Sequence, residues 1–169
     1  AERNVAWKAV FDKTTGLLTS YENAGVQMLK EPLMPSFWRA PVENDMGAGM
    51  HKKFRMWRNP ELKPVSMDIA EAEGYTCLTV VYRPFGDVCD IEMTYRVYGD
   101  GAISCTEKLK DAGSLSKATP MFRFGMKFTM PGEFSTLDFY GYGPWENYSD
   151  RCSAALMGRY VQSVSDQYH

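Results

Sequence analysis

Apolar and polar residues alternate with a period of two through much of this chain. The longest alternation covers 89–98, where every second residue is apolar or aromatic and the residues between are polar or charged. The apolar set is Cys89, Ile91, Met93, Tyr95 and Val97. Because successive side chains of a strand point to opposite faces of a sheet, this pattern predicts a strand with one face in a core.

Turn residues separate the alternating segments. Gly99-Asp100-Gly101 predicts a tight hairpin, since Gly and Asp tolerate positive φ, and 102–110 form its return strand. The inward residues of that return strand are Ile103, Cys105 and Leu109. Asp12 to Gly16 predicts a second turn. Further strands are predicted over 5–11, 17–22, 26–29, 76–83, 122–128, 137–140 and 154–160.

Helical signals are sparse. One short helix is predicted over 51–58, where Phe54 and Trp57 share a face, and Asn59-Pro60 ends it. Many short strands joined by Gly, Pro and Asn turns predict an all-β fold, an antiparallel β-sandwich. The inward stripe of 122–128 is interpreted as sheet packing rather than as a sugar-stacking surface.

Size and charge exclude several functions. The 169 residues, 44% of them hydrophobic, fit a single domain. The net charge of −2 comes without a basic stripe, so nucleic acid is not expected as a partner. No apolar run approaches the roughly 20 residues that span a bilayer, so a membrane is not expected either.

The four cysteines show no metal-binding spacing. They are scattered, without a C-x-x-C pair, so no zinc site is expected in this chain. Buried free thiols are the simpler interpretation. A Cys89–Cys105 cross-strand disulfide stays open as an alternative in an oxidising compartment. The cysteines are Cys77, Cys89, Cys105 and Cys152.

Two clusters combine charged, amide and aromatic residues with Gly and Pro. Such composition suits loops held in one shape, where binding groups commonly lie. The first cluster is Trp38-Arg39-Ala40-Pro41-Val42-Glu43-Asn44-Asp45-Met46-Gly47. The second is Tyr140-Gly141-Tyr142-Gly143-Pro144-Trp145-Glu146-Asn147-Tyr148-Ser149-Asp150-Arg151.

These clusters carry a family resemblance. The first resembles the R-A-P-x-D-N-D-x-G signature in the C-terminal domain of large bacterial β-galactosidases, and the second resembles that domain's G-x-G-P-x-E-N-Y-x-D-R signature. The resemblance runs from about Val5 to the last residue. Glu43 stands where the family usually has Asp, while Trp145 and Ser149 stand where its best-known members have Gln and Pro.

The resemblance implies a particular fold and role. It implies a galactose-mutarotase-like supersandwich, incomplete here because the family's domain extends further. Residues 1–169 are then the first part of the terminal β-sandwich of a larger retaining glycoside hydrolase that cleaves terminal β-D-galactosides such as lactose. The catalytic glutamates of that family lie in a separate TIM-barrel domain. The resemblance therefore implies no catalytic residue in this chain, no hydrolysis by it alone, and a role in shaping the sugar cleft.

The resemblance also implies partners and cofactors. The larger enzyme uses Mg²⁺ and Na⁺, and this chain binds no metal. Its partners are the galactoside substrate, the remaining domains of the same polypeptide and further copies in a homo-oligomer. Bacterial cytoplasm and periplasm both stay open. The alternative is a freestanding carbohydrate-binding or aldose-epimerase-like module, which would need its own cleft or a His/Glu pair.

Nine residues of the two clusters are candidates for substrate contact. They are Arg39, Glu43, Asn44, Asp45, Gly47, Trp145, Glu146, Asn147 and Arg151. Retaining hydrolysis needs two carboxylates about 5–5.5 Å apart. The sequence places no such pair, and structural ion pairs of the acids with Arg39 or Arg151 are the simpler interpretation.

Three further expectations concern exposure. Residues 47–53 are interpreted either as a mobile lip over the site or as an ordinary disordered loop. Trp145 is the best candidate for an exposed stacking face, whereas Trp38 and Trp57 are expected in the core. His51 is expected to be a solvated loop residue rather than a general base. Missing strands should leave an open sheet edge, so association in solution is predicted.

Overall fold

The computed structural model describes residues 6–145, 147 and 152–167. They divide between two compact units, 1–129 and 130–169. The single domain predicted for 1–169 stays a prediction. The strands of the first unit are β1 Trp7–Phe11, β2 Leu18–Asn23, β3 Val26–Gln27, β4 Glu31–Pro35, β5 Pro64–Ala72, β6 Tyr75–Tyr82, β7 Cys89–Tyr98, β8 Ile103–Asp111 and β9 Met126–Thr129. Those of the second are β10 Thr136–Gly143 and β11 Leu156–Ser163.

The helical elements are short. Two α-helices lie in the first unit, α1 at Glu43–Gly47 and α2 at Met50–Lys53. The 3₁₀ turns are Arg55–Trp57, Leu115–Lys117, Cys152–Ala154 and Val164–Gln167. No helix in the described ranges is long and apolar enough to cross a membrane.

Two antiparallel sheets build the first unit. One has the order β1-β2-β4-β9, with β3 paired to β2, and the other has the order β5-β6-β7-β8. A common core of apolar side chains packs between them. In the second unit β10 and β11 form a separate antiparallel pair. The all-β sandwich class predicted from the alternation is therefore confirmed.

The central strand β7 matches its predicted pattern. Cys89, Ile91, Met93 and Tyr95 are fully buried, and the residues between them are partly exposed. The ring of Phe11 meets the Tyr95 ring edge-on across the core, with 5.0 Å between centroids. The predicted hairpin turn after Tyr98 is also present, with the Gly101 amide donating to the Tyr98 carbonyl.

The turn between β1 and β2 is tied to the core beneath it. One Asp12 carboxylate oxygen accepts hydrogen bonds from the backbone amides of Thr14 and Thr15, at 2.8 and 2.7 Å. Gly16 follows with φ of 68°, and a Cβ placed there would lie 2.7 Å from a methyl carbon of Val80. The buried Tyr82 hydroxyl donates to the Thr15 carbonyl at 2.6 Å. This confirms the predicted turn and shows why it needs glycine.

The strand predicted over 122–128 is wrong in its first half. The strand β9 begins only at Met126, which pairs with Pro35 at the end of β4. Because the partner strand ends there, the preceding residues have no ladder to join. Phe122 instead packs edge-on against Trp38, and Phe124 stacks on Phe37 while staying half-exposed.

The structure rejects the cross-strand disulfide. Cys89 lies opposite Asp111 and Cys105 lies opposite Tyr95, so the two thiols are not register neighbours. Both are free. Burial raises the pKa of the Cys89 thiol to about 11 and that of Cys105 to about 12, which keeps both protonated and unreactive near neutral pH.

Candidate functional site

The first cluster is organised by a partly buried ion pair between Arg39 and Asp45. The guanidinium donates to both carboxylate oxygens of Asp45, at 2.6 and 3.3 Å. The same carboxylate accepts the backbone amide of Val42 at 2.9 Å, so it also caps the start of α1. Asp45 is only 6% exposed. These contacts hold the pKa of the Asp45 carboxyl below its usual range, the Arg39 hydrogen bond being the largest cause.

The other face of this ion pair rests on aromatic rings. The Arg39 guanidinium carbon lies 4.7 Å from the centre of the Phe122 ring, and Phe122 packs edge-on against Phe54. Arg58 lies over the Trp38 ring in the same way, at 5.6 Å. A planar cation held between a carboxylate and a ring has little freedom to move. The structure thus contains the ion pair of Arg39 with an acid that the sequence predicted, and the ring beside it restricts the guanidinium.

The remaining candidates of this cluster project outward. Glu43, Asn44 and Gly47 are exposed on α1. The cluster was expected to be a loop, but a five-residue helix occupies it because the Asp45 side chain satisfies an amide at its start. The polar side chains that α1 exposes are therefore the Glu43 carboxylate and the Asn44 amide. Asp45, with its lone pairs directed at Arg39, is unsuited to act as nucleophile or base.

Residues 47–53 are more regular than either sequence interpretation assumed. They comprise the end of α1, a connection through Gly49 with φ of 67°, and the helix α2. A role as a lip over the site stays a prediction. The expectation of a solvated His51 is wrong, because His51 is half-buried in α2 and its Nδ1 atom is buried without a hydrogen-bond partner in the part of the chain that the structure describes.

We expect Asp45→Asn to lower Tm by several degrees at pH 7, because the amide keeps the shape but leaves the Arg39 guanidinium without a counter-charge. Since the folded pKa of Asp45 is lowered, its contribution is present above the unfolded pKa and is lost as pH falls through the folded one. Thermal melts at pH 7 and pH 3 check this prediction, since the loss of Tm in Asp45→Asn should be smaller at pH 3. Asp68→Asn, at an exposed position of β5, is the matched control, and equal losses in both variants would contradict the prediction.

The second cluster lines a cavity of about 310 Å³ on the β10–β11 unit. Trp145 and Tyr142 are both half-exposed, at 54% and 53%. Asn147 joins them, so the structure brings together two of the candidates predicted from this cluster. The candidates Glu146 and Arg151 lie outside the described residues. The lining residues are Leu137, Phe139, Tyr142, Pro144, Trp145, Asn147 and Gln167.

The hairpin beneath this cavity is held by Tyr160 and two glycines. The rings of Phe139 and Tyr160 pack at 5.4 Å. A Cβ at Gly143 would lie 2.8 Å from the Tyr160 ring, and one at Gly158 would lie 3.3 Å from its hydroxyl. That hydroxyl donates to the Leu156 carbonyl at 2.8 Å. Glycine is required at 143 because the tyrosine ring lies directly over the backbone.

The chemistry of this cavity suits a neutral, hydroxyl-rich ligand. Trp145 and Tyr142 offer ring faces, onto which the C–H groups of a pyranose can pack. Asn147 and Gln167 offer amides, each with both donor and acceptor groups for hydroxyls. Apolar walls with a few convergent polar groups are typical of small-ligand sites. Among the described residues no group of three His, Cys, Asp or Glu side chains could hold a metal ion.

Sequence reasoning missed two residues. Gln167 reaches the cavity only because the 3₁₀ turn after β11 returns the chain to the hairpin, which no local pattern indicates. Glu107, in contrast, could have been singled out from the sequence. It falls in the inward phase of β8 between Cys105 and Leu109, yet it is charged, and the structure buries both of its carboxylate oxygens.

Comparisons with known proteins agree on the family. Residues 3–169 match the family model described as beta galactosidase small chain. A beta-galactosidase of Halalkalibacterium halodurans is 30% identical over 165 residues, covering 95% of this chain and 16% of that protein. One of Priestia megaterium is 29% identical over 161 residues, covering 94% and 15%. One of Lactobacillus delbrueckii subsp. bulgaricus is 30% identical over 166 residues, covering 96% and 16%.

The chain thus spans about 16% of the length of the curated relatives that it matches. The resemblance inferred from the two motif clusters is confirmed, and it extends over nearly every residue of the chain. Because the family model covers residues 3–169, this chain belongs to the beta galactosidase small chain family.

Proposed function

We propose that this chain serves as a β-sandwich part of a β-galactosidase, which hydrolyses terminal β-D-galactosides such as lactose. Within it the chain shapes the sugar cleft, while catalysis belongs to carboxylates outside this chain. The names of the relatives and the small share of their length that the chain matches support this division of labour. The observation that carries the sugar-contact role is the cavity that combines the Trp145 ring with the Asn147 amide.

The described acids support a non-catalytic role. Retaining hydrolysis needs one carboxylate free to attack and a second that exchanges a proton. Asp45 is committed to Arg39 and to the start of α1, and its lowered pKa suits neither proton donation nor exchange near neutral pH. Glu43 is exposed and lies on a short helix, where it can orient a hydroxyl. We therefore assign no catalytic residue here.

The proposal extends to the cofactors and the partners of the chain. The proposed enzyme uses Mg²⁺ and Na⁺, and we place both outside this chain because the buried carboxylate of the first cluster is already neutralised by an arginine. The partners of the chain are then the galactoside, the other domains of the same polypeptide and further copies of the enzyme. Apolar residues exposed on the hairpin, including Leu156 at 72% and Val161 at 63%, are compatible with such contacts.

Titration of the chain with galactose and with lactose tests the sugar contact. We expect saturable amide shifts confined to the Trp145 side of the β10–β11 unit, with affinity in the millimolar range typical of one exposed stacking face, about 1 mM or weaker. Trp145→Ala should abolish them. Tyr140→Ala is the matched control, because Tyr140 is 76% exposed on the same hairpin but does not line the cavity.

Two results would change the assignment. If no shift saturates, or if Tyr140→Ala removes the response as fully as Trp145→Ala, the cavity is not a sugar site. Turnover of an aryl galactoside by this chain alone would overturn the assignment of catalysis to other parts of the enzyme and would favour a freestanding module.

A further inference from the structure

A small cavity of about 140 Å³ lies in the first unit, beside the end of β4. The strand β9 forms one wall, and the segment that follows the 3₁₀ turn Arg55–Trp57 forms another. The cavity is smaller than the about 300–1,000 Å³ typical of pockets for drug-sized ligands. Its size therefore favours a compact ligand, and its lining residues indicate which one.

The pleat of the sheet directs three side chains toward this cavity. Met34 lies opposite Lys127 in the β4–β9 ladder, so their side chains are on the same face of the sheet. Ser36 follows two residues after Met34, and its amide continues the ladder by donating to the Gly125 carbonyl at 2.6 Å. Since side chains alternate along a strand, the Ser36 side chain shares that face. All three residues line the cavity.

The Ser36 hydroxyl is a nearly enclosed donor without a partner. Ser36 is only 9% exposed. Its hydroxyl makes no hydrogen bond to any described residue, yet it keeps some contact with solvent, unlike the sealed carboxylate of Glu107. The cavity supplies that contact, since Ser36 lines it. A nearly buried hydroxyl that the fold leaves unpaired is available to a ligand inside the cavity.

Two cations share the cavity with this hydroxyl. Arg58 and Lys127 both line it, and neither forms an ion pair with a described residue. The Arg58 guanidinium lies over the Trp38 ring, 5.6 Å from its centre, which restrains the guanidinium without neutralising its charge. Trp38 is two residues from Ser36, a backbone span of at most about 7 Å. Asn59 adds an amide to the lining, and the other described lining residues are apolar.

The sequence around Arg58 is strongly basic. Residues 46–67 contain five Lys or Arg residues and one acid, Glu61, an excess of four positive charges in a chain whose net charge is −2. The Glu61 carboxylate is already paired with the Lys63 ammonium at 2.6 Å. No acid is among the described residues that line the cavity. The charges around the cavity therefore attract an anion.

We propose that this cavity binds a phosphoryl group, a compact tetrahedral oxyanion, carried either by inorganic phosphate or by a small phosphate ester. The Ser36 hydroxyl donates to one oxygen, the Arg58 guanidinium offers a fork of N–H donors to others, and the Lys127 ammonium adds a second positive charge. A carboxylate has two acceptor oxygens and one charge, so it satisfies fewer of these groups. The cavity belongs to the first unit, so the proposal is independent of the sugar site proposed on the second.

Titration of the chain with inorganic phosphate, at an ionic strength held constant with sodium chloride, tests the site. We expect saturable amide shifts at Ser36, Asn59 and Lys127, with a Kd on the order of 1 mM. Acetate should bind at least about tenfold more weakly. Methyl phosphate distinguishes the two sources of the phosphoryl group. Equal affinity assigns the site to phosphate esters as well, and a loss of at least about tenfold assigns it to the free ion.

Two variants test the residues. Lys127→Gln should weaken phosphate binding at least about fivefold. Lys53→Gln is the matched control, because Lys53 is an exposed lysine of the basic segment that does not line the cavity. Ser36→Ala should weaken binding by a similar factor without lowering the Tm of the phosphate-free chain, because the hydroxyl that it removes has no partner in the described fold.

Three results would overturn the proposal. The first is that chloride alone produces the same shifts as phosphate, and the second is that acetate binds as tightly as phosphate. The third is an unchanged affinity for phosphate in both Ser36→Ala and Lys127→Gln.

Discussion

Replacing Glu107 with glutamine is expected to raise the free energy of unfolding by about 1–2 kcal/mol at pH 8 and to raise it much less at pH 4.5, the unmet hydrogen bonds of the buried amide offsetting part of the gain. Burial raises the pKa of Glu107 from 4.5 to about 7. A carboxyl whose folded pKa exceeds its unfolded pKa destabilises the protein as pH rises between the two values, because the folded state must then ionise in a poorly solvated place. Glutamine keeps the volume and carries no charge.

Urea denaturation at the two pH values measures this difference. Glu133→Gln is the control, because Glu133 is exposed and its replacement should leave the unfolding free energy unchanged at both pH values. A Glu107→Gln variant that is no more stable than the wild-type chain at pH 8 would mean that Glu107 ionises at little cost.

Gly16→Ala is expected to destabilise the chain by about 2–4 kcal/mol, the second large effect that the structure predicts. Two costs combine. The φ of 68° at Gly16 is unfavourable for alanine, and its new methyl would press on the fully buried Val80, 2.7 Å away. Gly25→Ala separates the backbone strain from the clash, because Gly25 has φ of 79° and a methyl added there would meet no atom within 4 Å. It should cost only about 1 kcal/mol.

The clash can be tested by removing its partner. In a Val80→Ala background the two γ-carbons nearest the new methyl are gone and only the flexible end of Met67, at 3.1 Å, remains, so Gly16→Ala should cost little more than Gly25→Ala does. A double-mutant cycle on urea unfolding therefore should show a coupling of about 1–2 kcal/mol between positions 16 and 80. Additive effects, or equal losses at 16 and 25, would show that backbone strain alone accounts for the change.

Alternation predicted a strand correctly where that strand pairs with neighbours along its whole length. The alternation in β7 was sufficient because that strand is paired on both sides and its inner face is fully buried. The alternation in 122–128 misled because β4 ends at Pro35 and leaves the first half unpaired. The edge strand β5 was missed because most of its residues are exposed, so burial imposes little pattern on it.

Of the two candidate sites, the Arg39–Asp45 pair could be predicted from the sequence and the cavity beside Trp145 could be predicted only in part. The Arg39–Asp45 pair followed from charge and spacing within one short cluster, and the structure adds only its rings and its helix cap. The cavity beside Trp145 needed the register of a hairpin whose strands lie more than ten residues apart in sequence, and it needed Gln167 from the turn beyond. These residues meet only in the tertiary structure, and no local sequence pattern indicates that they do.

The Tyr160 ring of β11, which packs over Gly143 of β10, also limits how the hairpin can pair. A two-stranded sheet with a mostly exposed surface has little burial to choose among shifted alignments. Here a shift by one residue would place the side chain of Tyr142 or Pro144, rather than Gly143, under the aromatic ring, and the resulting overlap disfavours that alignment. Gly143 therefore opposes one-residue misalignment of the hairpin and favours the pairing that builds the cavity wall.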